Sequence, residues 1–196
     1  MEAVIIRKAQ EADRRNLSVI IAEGFAKEFS LLTKDSDKLA RALCDGIRID
    51  KFYIAQQGEW PIGAAACSDI TGRAVYPLLK DLCKYFGPIK GAVGLYVMKN
   101  QFMKPLTYPS ETAYLEFLTV SSQARGRGVA KQLLKGIIEG SGYRKFILDV
   151  YDVNTYAIRA YTAFGFTETH RVPAKYPKLQ GYNEKISMSY TPVLHI

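Results

Sequence analysis

The residues best suited to chemistry lie in a glycine-containing turn between a strand-like run, residues 114–120, and a helical run that ends near Gly140. The turn comprises Gln123, Ala124, Arg125, Gly126, Arg127, Gly128, Val129 and Ala130. Glycines allow backbone N–H groups to approach phosphate oxygens, and a helix N-terminus adds partial positive charge. The segment therefore predicts a binding site for a phosphorylated ligand.

Residue spacing separates the kinds of phosphate-binding loop that this turn could form. A dinucleotide fingerprint needs a small residue three positions after its second glycine, where this sequence has Lys131, and a P-loop needs a Gly-Lys-Ser/Thr that is absent. The remaining pattern is Q-x-x-G-x-G at Gln123, Gly126 and Gly128. Two other interpretations of this pattern stay open. Arg-Gly-Arg-Gly also occurs in flexible RNA-binding segments. A basic turn that only precedes an ordinary helix would have the same sequence pattern.

A second segment, residues 154–166, is typical of one short and complete helix. Asn154 is a favourable N-cap, and Gly165 is a favourable end. Apolar side chains share one face at helical spacing: Ala157, Ile158, Tyr161 and Phe164. An amphipathic helix with core aromatics would explain this segment by itself.

Together, and in this order, the two segments resemble motifs A and B of the GNAT superfamily of acyl-CoA-dependent N-acyltransferases. Motif B, N-x-x-A-x-x-x-Y-x-x-x-G-F, is matched at Asn154, Ala157, Tyr161, Gly165 and Phe166. The resemblance implies an α+β (mixed α/β) fold. Its sheet would be mixed and mostly antiparallel, with one splayed parallel strand pair and helices on both faces.

Patterning along the chain agrees with one GNAT-like domain over residues 1–196. Strands and helices are predicted in the order β-α-α-β-β, followed after residue 110 by a strand, a helix, a parallel strand, the motif B helix and two closing strands. Residues 71–110 interrupt this order between the third and fourth strands. Two helical stripes, one from Val75 to Phe86 and one from Ile89 to Val97, predict a two-helix insertion there.

The insertion also carries much of the excess positive charge. From Arg73 to Lys104 it contains six basic residues and one acid, Asp81. It could be a helical cover with solvated lysines, a lid over the acceptor site, or a basic face for an anionic acceptor, nucleic acid or membrane surface.

The resemblance implies acetyl-CoA as co-substrate and assigns a set of residues to it. The motif A turn would wrap the pyrophosphate of coenzyme A, and backbone groups at the end of the central strand would bind the pantetheine arm and the thioester oxygen. The predicted cofactor-binding residues are Leu118, Thr119, Val120, Gln123, Arg125, Gly126, Arg127, Gly128, Val129, Ala130, Asn154, Ala157 and Tyr161.

The chemistry of acetyl transfer to an amine suggests two catalytic residues. The amine must lose a proton, and the resemblance makes Glu116 the candidate base, because it lies on the central strand four residues before Val120, where many GNAT sequences carry a glutamate. Glu111 and Asp69 are alternatives, and Glu116 could instead hold a substrate ammonium or be structural. Tyr161, at the motif B tyrosine, would protonate the thiolate leaving group. The sequence has no Gly-x-Ser-x-Gly and no cysteine near a histidine, which favours direct transfer without a covalent intermediate.

Composition restricts the compartment and the partners. The chain is 48% hydrophobic and 23% charged, as expected for a globular domain, and it contains no apolar run long enough to span a bilayer. Its beginning predicts a strand rather than a secretory signal. Cys44, Cys67 and Cys83 are expected to be buried free thiols in a reducing cytoplasm, and His170 and His195 lack metal-ligand spacing, so no metal is predicted.

The net charge of +8 raises nucleic acid as a partner, but coenzyme A is itself a polyanion. The leading hypothesis is an acetyl-CoA-dependent N-acetyltransferase that acts on a primary amine of a small molecule or protein, as a monomer or homodimer. One alternative is a domain that binds or senses acyl-CoA without turnover. The other is a nucleic-acid-binding module that uses the basic insertion, although this insertion lacks the aromatics expected for base stacking.

Overall fold

The computed structural model describes residues 2–192, apart from the side chains of residues 100, 101 and 179. Its central feature is one mixed sheet formed by β1 (Val4–Lys8), β2 (Phe52–Gln57), β3 (Trp60–Ser68), β4 (Thr112–Val120), β5 (Lys145–Tyr151), β6 (Thr167–Pro173) and β7 (Glu184–Tyr190). The seven strands are ordered β1-β2-β3-β4-β5-β7-β6. Only β4 and β5 run parallel; every other neighbouring pair is antiparallel.

Helices cover both faces of the sheet because each carries an apolar stripe that must be buried. One face is covered by α1 (Arg14–Gly24), α2 (Ser36–Cys44), α3 (Leu79–Phe86) and α4 (Pro88–Phe102), and the other by α5 (Val129–Gly140) and α6 (Thr155–Phe164). A short α7 (Pro177–Gln180), which the sequence patterns did not predict, joins β6 to β7. The predicted fold class is confirmed.

The two insertion helices lie between β3 and β4, as predicted, but the first is shorter than its apolar stripe suggested. Val75 and Leu78 do not belong to α3, which begins at Leu79. Pro77 explains the difference, because proline disfavours helical backbone at the residue before it. Val75 instead forms an isolated bridge with Ile47 and is buried in the core.

The parallel pair splays apart after a short contact. Only Thr112, Ala113 and Tyr114 of β4 pair with β5. Further along, β4 contains a bulge in which Phe117 has a φ of 56°, a conformation that costs a non-glycine residue about 1–2 kcal/mol. We call the opening between residues 115–120 of β4 and residues 148–151 of β5 the β4–β5 gap.

Aromatic packing holds the strained bulge in place. The Phe117 ring is almost fully buried and lies 5.3 Å from the ring of Phe25, 6.1 Å from that of Phe52 and 5.6 Å from that of Phe102. Phe102 belongs to α4, so the insertion contributes directly to this cluster. The inner face of the insertion is therefore a cover that packs on the sheet beside the β4–β5 gap.

Candidate active site

The glycine turn has the backbone geometry that its sequence predicts. Gly126 and Gly128 have φ values of 75° and 74°, in the left-handed region that side chains disfavour. A Cβ at either position would meet nothing within 4 Å, so glycine is needed here for conformation and not for space. Ala124 is buried and anchors the turn, and α5 begins at Val129. The turn thus exposes its backbone at the N-terminus of a helix.

A pocket of about 290 Å³ lies beside this turn. It is lined by Ile20, Glu23, Gly24, Ser36, Thr119, Val120, Ser121, Ser122 and Arg125. Gly24 makes its narrow shape possible, because an added Cβ would lie 2.0 Å from Thr119 Oγ1. The end of α1 therefore approaches the end of β4 directly, and three predicted cofactor-binding residues, Thr119, Val120 and Arg125, share one cavity.

Positive side chains surround the turn as predicted. Arg125 Nε donates a hydrogen bond to the Val120 carbonyl oxygen (3.2 Å), and Arg127 Nη2 donates to Gln57 Oε1 (2.9 Å). Lys131 and Lys135 are exposed on the first turns of α5, where Lys135 lies 3.8 Å from Glu139. An anion at the turn would meet the helix N-terminus and these cations together.

The motif B helix is capped as predicted. Asn154 Oδ1 accepts a hydrogen bond from the Ala157 N–H (3.2 Å), and Gly165 ends the helix with a φ of 116°. Tyr161 is partly buried against Phe166, with ring centroids 5.8 Å apart. Burial raises the pKa of its phenol to about 12. Tyr156 is exposed. Asn154, Ala157 and Tyr161 lie outside the lining of the pocket beside the turn.

Glu116 is in a saturated polar network rather than free to accept a proton. Arg73 Nη2 lies 2.5 Å from Oε2, and Oε1 accepts hydrogen bonds from the Ala74 N–H (3.1 Å) and the Ser68 hydroxyl. Burial is the largest influence and lowers the pKa of Arg73, but the hydrogen bond to Glu116 and the charge of Glu116 together raise that pKa overall. Protonating Glu116 would leave the Arg73 charge buried without a partner. This geometry argues against the predicted base and ammonium-binding roles, and favours the structural one.

The two alternative acids are at the wrong end of the sheet. Asp69 follows β3, whose last residue pairs with Tyr114, and it accepts hydrogen bonds from Lys51 Nζ (2.7 Å), the Thr71 N–H (2.8 Å) and the Tyr143 phenol. Glu111 immediately precedes β4. Asp69 therefore lies level with the parallel contact and Glu111 lies before it, whereas the β4–β5 gap opens after it.

Asp149 of β5 is a candidate that the sequence patterns did not identify. Since Tyr114 pairs with Ile147, Asp149 lies level with Glu116 across the β4–β5 gap and on the same face of the sheet. Its Oδ1 accepts a hydrogen bond from Ser187 Oγ (2.5 Å), and its Oδ2 lies 2.7 Å from Lys185 Nζ. Burial and then the Asp149 charge raise the pKa of the neighbouring Tyr114 phenol. The sequence contained one signal for the orientation of Asp149, the alternation of apolar residues along β5. Phe146, Leu148 and Val150 occupy the buried face, so Asp149 lies on the opposite one.

Lys185 differs from Arg73 in one respect that bears on catalysis. The Lys185 side chain is 40% exposed, against 7% for Arg73. A lysine at the surface can turn into water at little cost, while a buried guanidinium cannot. Asp149 is thus the acid beside the β4–β5 gap that can exchange its cationic partner for another ammonium.

Metal-binding groups and cysteines add little to this site. Among residues 2–192, no cluster of three or more His, Cys, Asp or Glu side chains could hold a metal ion. His170 lies 3.3 Å from the hydroxyls of Thr169 and Ser187, and His195 lies outside the described residues. All three cysteines are free, but only Cys67 is buried; Cys44 and Cys83 are partly exposed, contrary to expectation.

Comparison with known proteins identifies the family to which this fold and its candidate site belong. A model of the acetyltransferase (GNAT) family matches residues 21–166. An N-acetyltransferase structure from Staphylococcus aureus has a TM-score of 0.63 at 16% identity, covering 95% of this chain and 100% of its own. A ribosomal-protein-alanine N-acetyltransferase from Brucella melitensis has a TM-score of 0.60 at 18% identity, covering 96% and 99%.

A third structure, an acetyltransferase from Salmonella typhimurium with its cofactor acetyl-CoA, has a TM-score of 0.62 at 17% identity and covers 99% of this chain and 96% of its own. At these identities the structural matches establish the fold, while the family model spans most of the chain. The chain belongs to the acetyltransferase (GNAT) family and is an acetyl-CoA-dependent N-acetyltransferase.

Proposed function

We propose that this enzyme transfers the acetyl group directly from the thioester of acetyl-CoA to a primary amine at the β4–β5 gap. The observation that carries the proposal is the free edge of β4 after Tyr114, which leads straight into the glycine turn. A free strand edge can pair with the amides of an extended ligand as an added strand would. Backbone N–H groups of Leu118, Thr119 and Val120 would meet the negative charge that develops on the thioester oxygen.

The phosphates of the co-substrate fit the turn and its cations. The exposed backbone at Gly126 and Gly128, together with Arg125 and Arg127, gives the N-terminus of α5 a positively charged surface. Gln123, Val129 and Ala130 complete the turn, and Asn154 and Ala157 would contact the co-substrate from α6. These assignments rest on the resemblance and on the positive φ angles.

Removal of the amine proton is assigned to Asp149 in place of Glu116. Stripping a proton from an ammonium of pKa ~10.4 at pH 7 costs roughly 4–5 kcal/mol, which a nearby carboxylate reduces. The incoming ammonium would replace Lys185 beside Asp149, so one cation exchanges for another. Glu116 is then a positioning residue that fixes β4 through Arg73.

Protonation of the departing thiolate is assigned to Tyr161. Within residues 2–192 its hydroxyl has no hydrogen-bond partner, so its proton is available to a sulfur atom beside it. With a pKa of about 12, the phenol stays protonated at every pH at which the enzyme would work. The assignment also relies on the position of the tyrosine in motif B.

We further propose one catalytic domain that works in the cytoplasm. Its cysteines are unpaired, and burial raises the pKa of the Cys67 thiol to about 12, which makes that thiol unreactive. None of the helices within residues 2–192 is long and apolar enough to cross a bilayer.

The decisive experiment combines calorimetry with an activity panel. Calorimetric titration should detect binding of acetyl-CoA, and thiol release should then be measured with polyamines, small metabolite amines, aminoglycosides and peptides with free amino groups. Activity with at least one amine is expected, and Asp149→Asn should reduce it by about 10²-fold or more without affecting acetyl-CoA binding. Failure to bind acetyl-CoA would overturn the proposal. Binding without turnover on any amine would support the alternative, an acyl-CoA sensor.

A further inference from the structure

The outer face of α4 is apolar although it lies on the protein surface. Ile89 is 81% exposed, Val93 59%, Tyr96 72% and Val97 45%. Spacings of three and four residues place Ile89, Val93 and Tyr96 on one side of the helix, with Val97 beside them. We call these four side chains the α4 outer face.

The opposite side of α4 packs against the rest of the protein. Gly91 packs so closely that a Cβ would lie 2.7 Å from the backbone nitrogen of Cys83, and Gly94 abuts Leu32 in the same way at 2.8 Å. Met98 is buried in the core. Because α4 is apolar on both sides and the described part of the chain, residues 2–192, buries only one of them, packing within that part does not explain the exposed side.

An apolar recess extends the α4 outer face at its N-terminal end. A groove of about 420 Å³ lies at the corner between α3 and α4 and is lined by Phe86, Gly87, Pro88, Ile89, Lys90 and Val93. Ile89 and Val93 belong to both the groove and the face. The apolar surface is therefore continuous over the helix and the corner.

The exposed charged side chains of the insertion itself, residues 73–104, all have one sign. Five exposed lysines lie on or beside the insertion helices: Lys80, Lys84, Lys90, Lys99 and Lys104. The one acid of residues 73–104, Asp81, is 91% buried, and Arg73 is buried with Glu116. On the helix, Lys90 lies about 100° to one side of Ile89 and Lys99 about 80° to the other. Lysines thus flank the apolar stripe on both sides.

We propose that the α4 outer face docks the enzyme on an anionic lipid surface. The apolar side chains would enter the headgroup region, and the flanking lysines would lie at the level of the lipid phosphates. A negatively charged lipid surface complements the five exposed lysines of the insertion, whereas the rim of a protein partner normally presents both signs. A second copy would bring two cationic rims together around a two-fold axis, which like-charge repulsion opposes. The proposal does not depend on the catalytic assignments above.

The test is co-flotation of the full chain with vesicles of phosphatidylcholine alone or mixed with phosphatidylserine. The wild-type protein should bind only the anionic vesicles, less so at high salt. Val93→Asp should remove most of the binding, and the double variant Lys90→Gln/Lys99→Gln should weaken it by about thirtyfold. Matched controls away from the face are Ile5→Asp, at a site 60% exposed on β1, and Lys38→Gln on α2.

Several outcomes would overturn the proposal. These are no binding of the wild-type protein to anionic vesicles, equal binding to both compositions, or an equal loss in the control variants. Sedimentation provides a further outcome: if the wild type is a dimer that Val93→Asp dissociates, the face is a contact between copies and not a lipid site. Circular dichroism checks the fold of each variant. The double lysine variant keeps the test valid should the aspartate prevent folding.

Discussion

Arg73 Nη2 lies 2.5 Å from Glu116 Oε2, and the two side chains are only 7% and 9% exposed. The same guanidinium donates to the Lys104 carbonyl oxygen (3.3 Å) and lies 5.1 Å from the centre of the Tyr114 ring. Arg73 precedes the insertion helices and Lys104 follows them. One buried cation therefore fastens both ends of the insertion to β4, immediately before the strained Phe117.

Glu116→Gln should therefore destabilise the fold. The substitution leaves the buried charge of Arg73 without its counter-ion, which costs about 3–5 kcal/mol. Urea denaturation should show this loss in the free energy of unfolding, while Glu168→Gln, which breaks an exposed pair with Arg171, should leave that free energy nearly unchanged. A Glu116→Gln enzyme with normal stability but little activity would contradict the structural role and restore Glu116 as a catalytic candidate.

The sequence predicted those features that short-range rules determine. The left-handed turn at Gly126 and Gly128, the Asn154 cap and the end of α6 at Gly165 follow from the conformational preferences of single residues and their neighbours. The sheet followed from the resemblance and from the alternation of apolar residues along its strands.

The role of Glu116 could not be predicted in the same way. Its partner Arg73 is separated from it by 43 positions, and nothing in the local pattern connects them. Asp149 was missed for the same reason, because its neighbours Lys185 and Ser187 belong to β7, and only the pairing of β5 with β7 brings them together. Alternation indicates which face a side chain occupies, but not which residue it meets there.

Asp149→Asn should lower kcat with little effect on acetyl-CoA affinity. The amide keeps the shape of the carboxylate but cannot accept the amine proton, so a loss of about 10²-fold or more is expected. Steady-state kinetics on the amine found in the panel, with calorimetry for acetyl-CoA, measures both quantities. Ser187→Ala, which removes one hydrogen bond from Asp149 and leaves its charge, is the matched control and should cost much less. Similar losses in both variants would indicate that Asp149 acts through strand packing.

Tyr161→Phe should slow turnover and preserve the pH profile. Packing against Phe166 is retained, so stability and acetyl-CoA affinity should hardly change, while loss of the proton donor should reduce kcat by about 10²-fold. Because the phenol has a pKa of about 12, it does not titrate between pH 6 and pH 9, and the shape of the pH–rate curve in that range should be the same in both enzymes. An unchanged kcat would exclude the acid role.

Gly128→Ala tests whether the turn needs its left-handed residue. The φ of 74° costs alanine about 1–2 kcal/mol even though space is open there, so the turn should shift and acetyl-CoA affinity should fall by about tenfold. Gly140→Ala at the end of α5 is the control, because its φ is not positive and a Cβ there is also unhindered. The control should bind normally. Equal affinities for both variants would show that the positive φ of Gly128 is unimportant for binding.

Asp69 should make the fold sensitive to acid. Burial alone would raise the pKa of its carboxyl group, but hydrogen bonds from Lys51, Thr71 and Tyr143 outweigh burial and hold the pKa well below its usual range. The unfolded chain therefore binds a proton at higher pH than the native one does. The stability that Asp69 contributes is fully present above the unfolded pKa near ~4 and is lost as the pH falls below it.

Asp69→Asn should accordingly reduce stability at neutral pH and flatten its dependence on pH below about 4. The loss at neutral pH follows from leaving the Lys51 ammonium, whose side chain is 8% exposed, without its counter-ion. Thermal unfolding measured across the acid range compares this variant with Glu59→Gln, at an exposed position in the turn between β2 and β3. The Glu59 variant should follow the wild-type curve. If the Asp69 variant followed it too, the acid sensitivity would have to come from another ion pair, of which Arg7 with Asp13 is the next candidate, since hydrogen bonding to Arg7 lowers the pKa of Asp13.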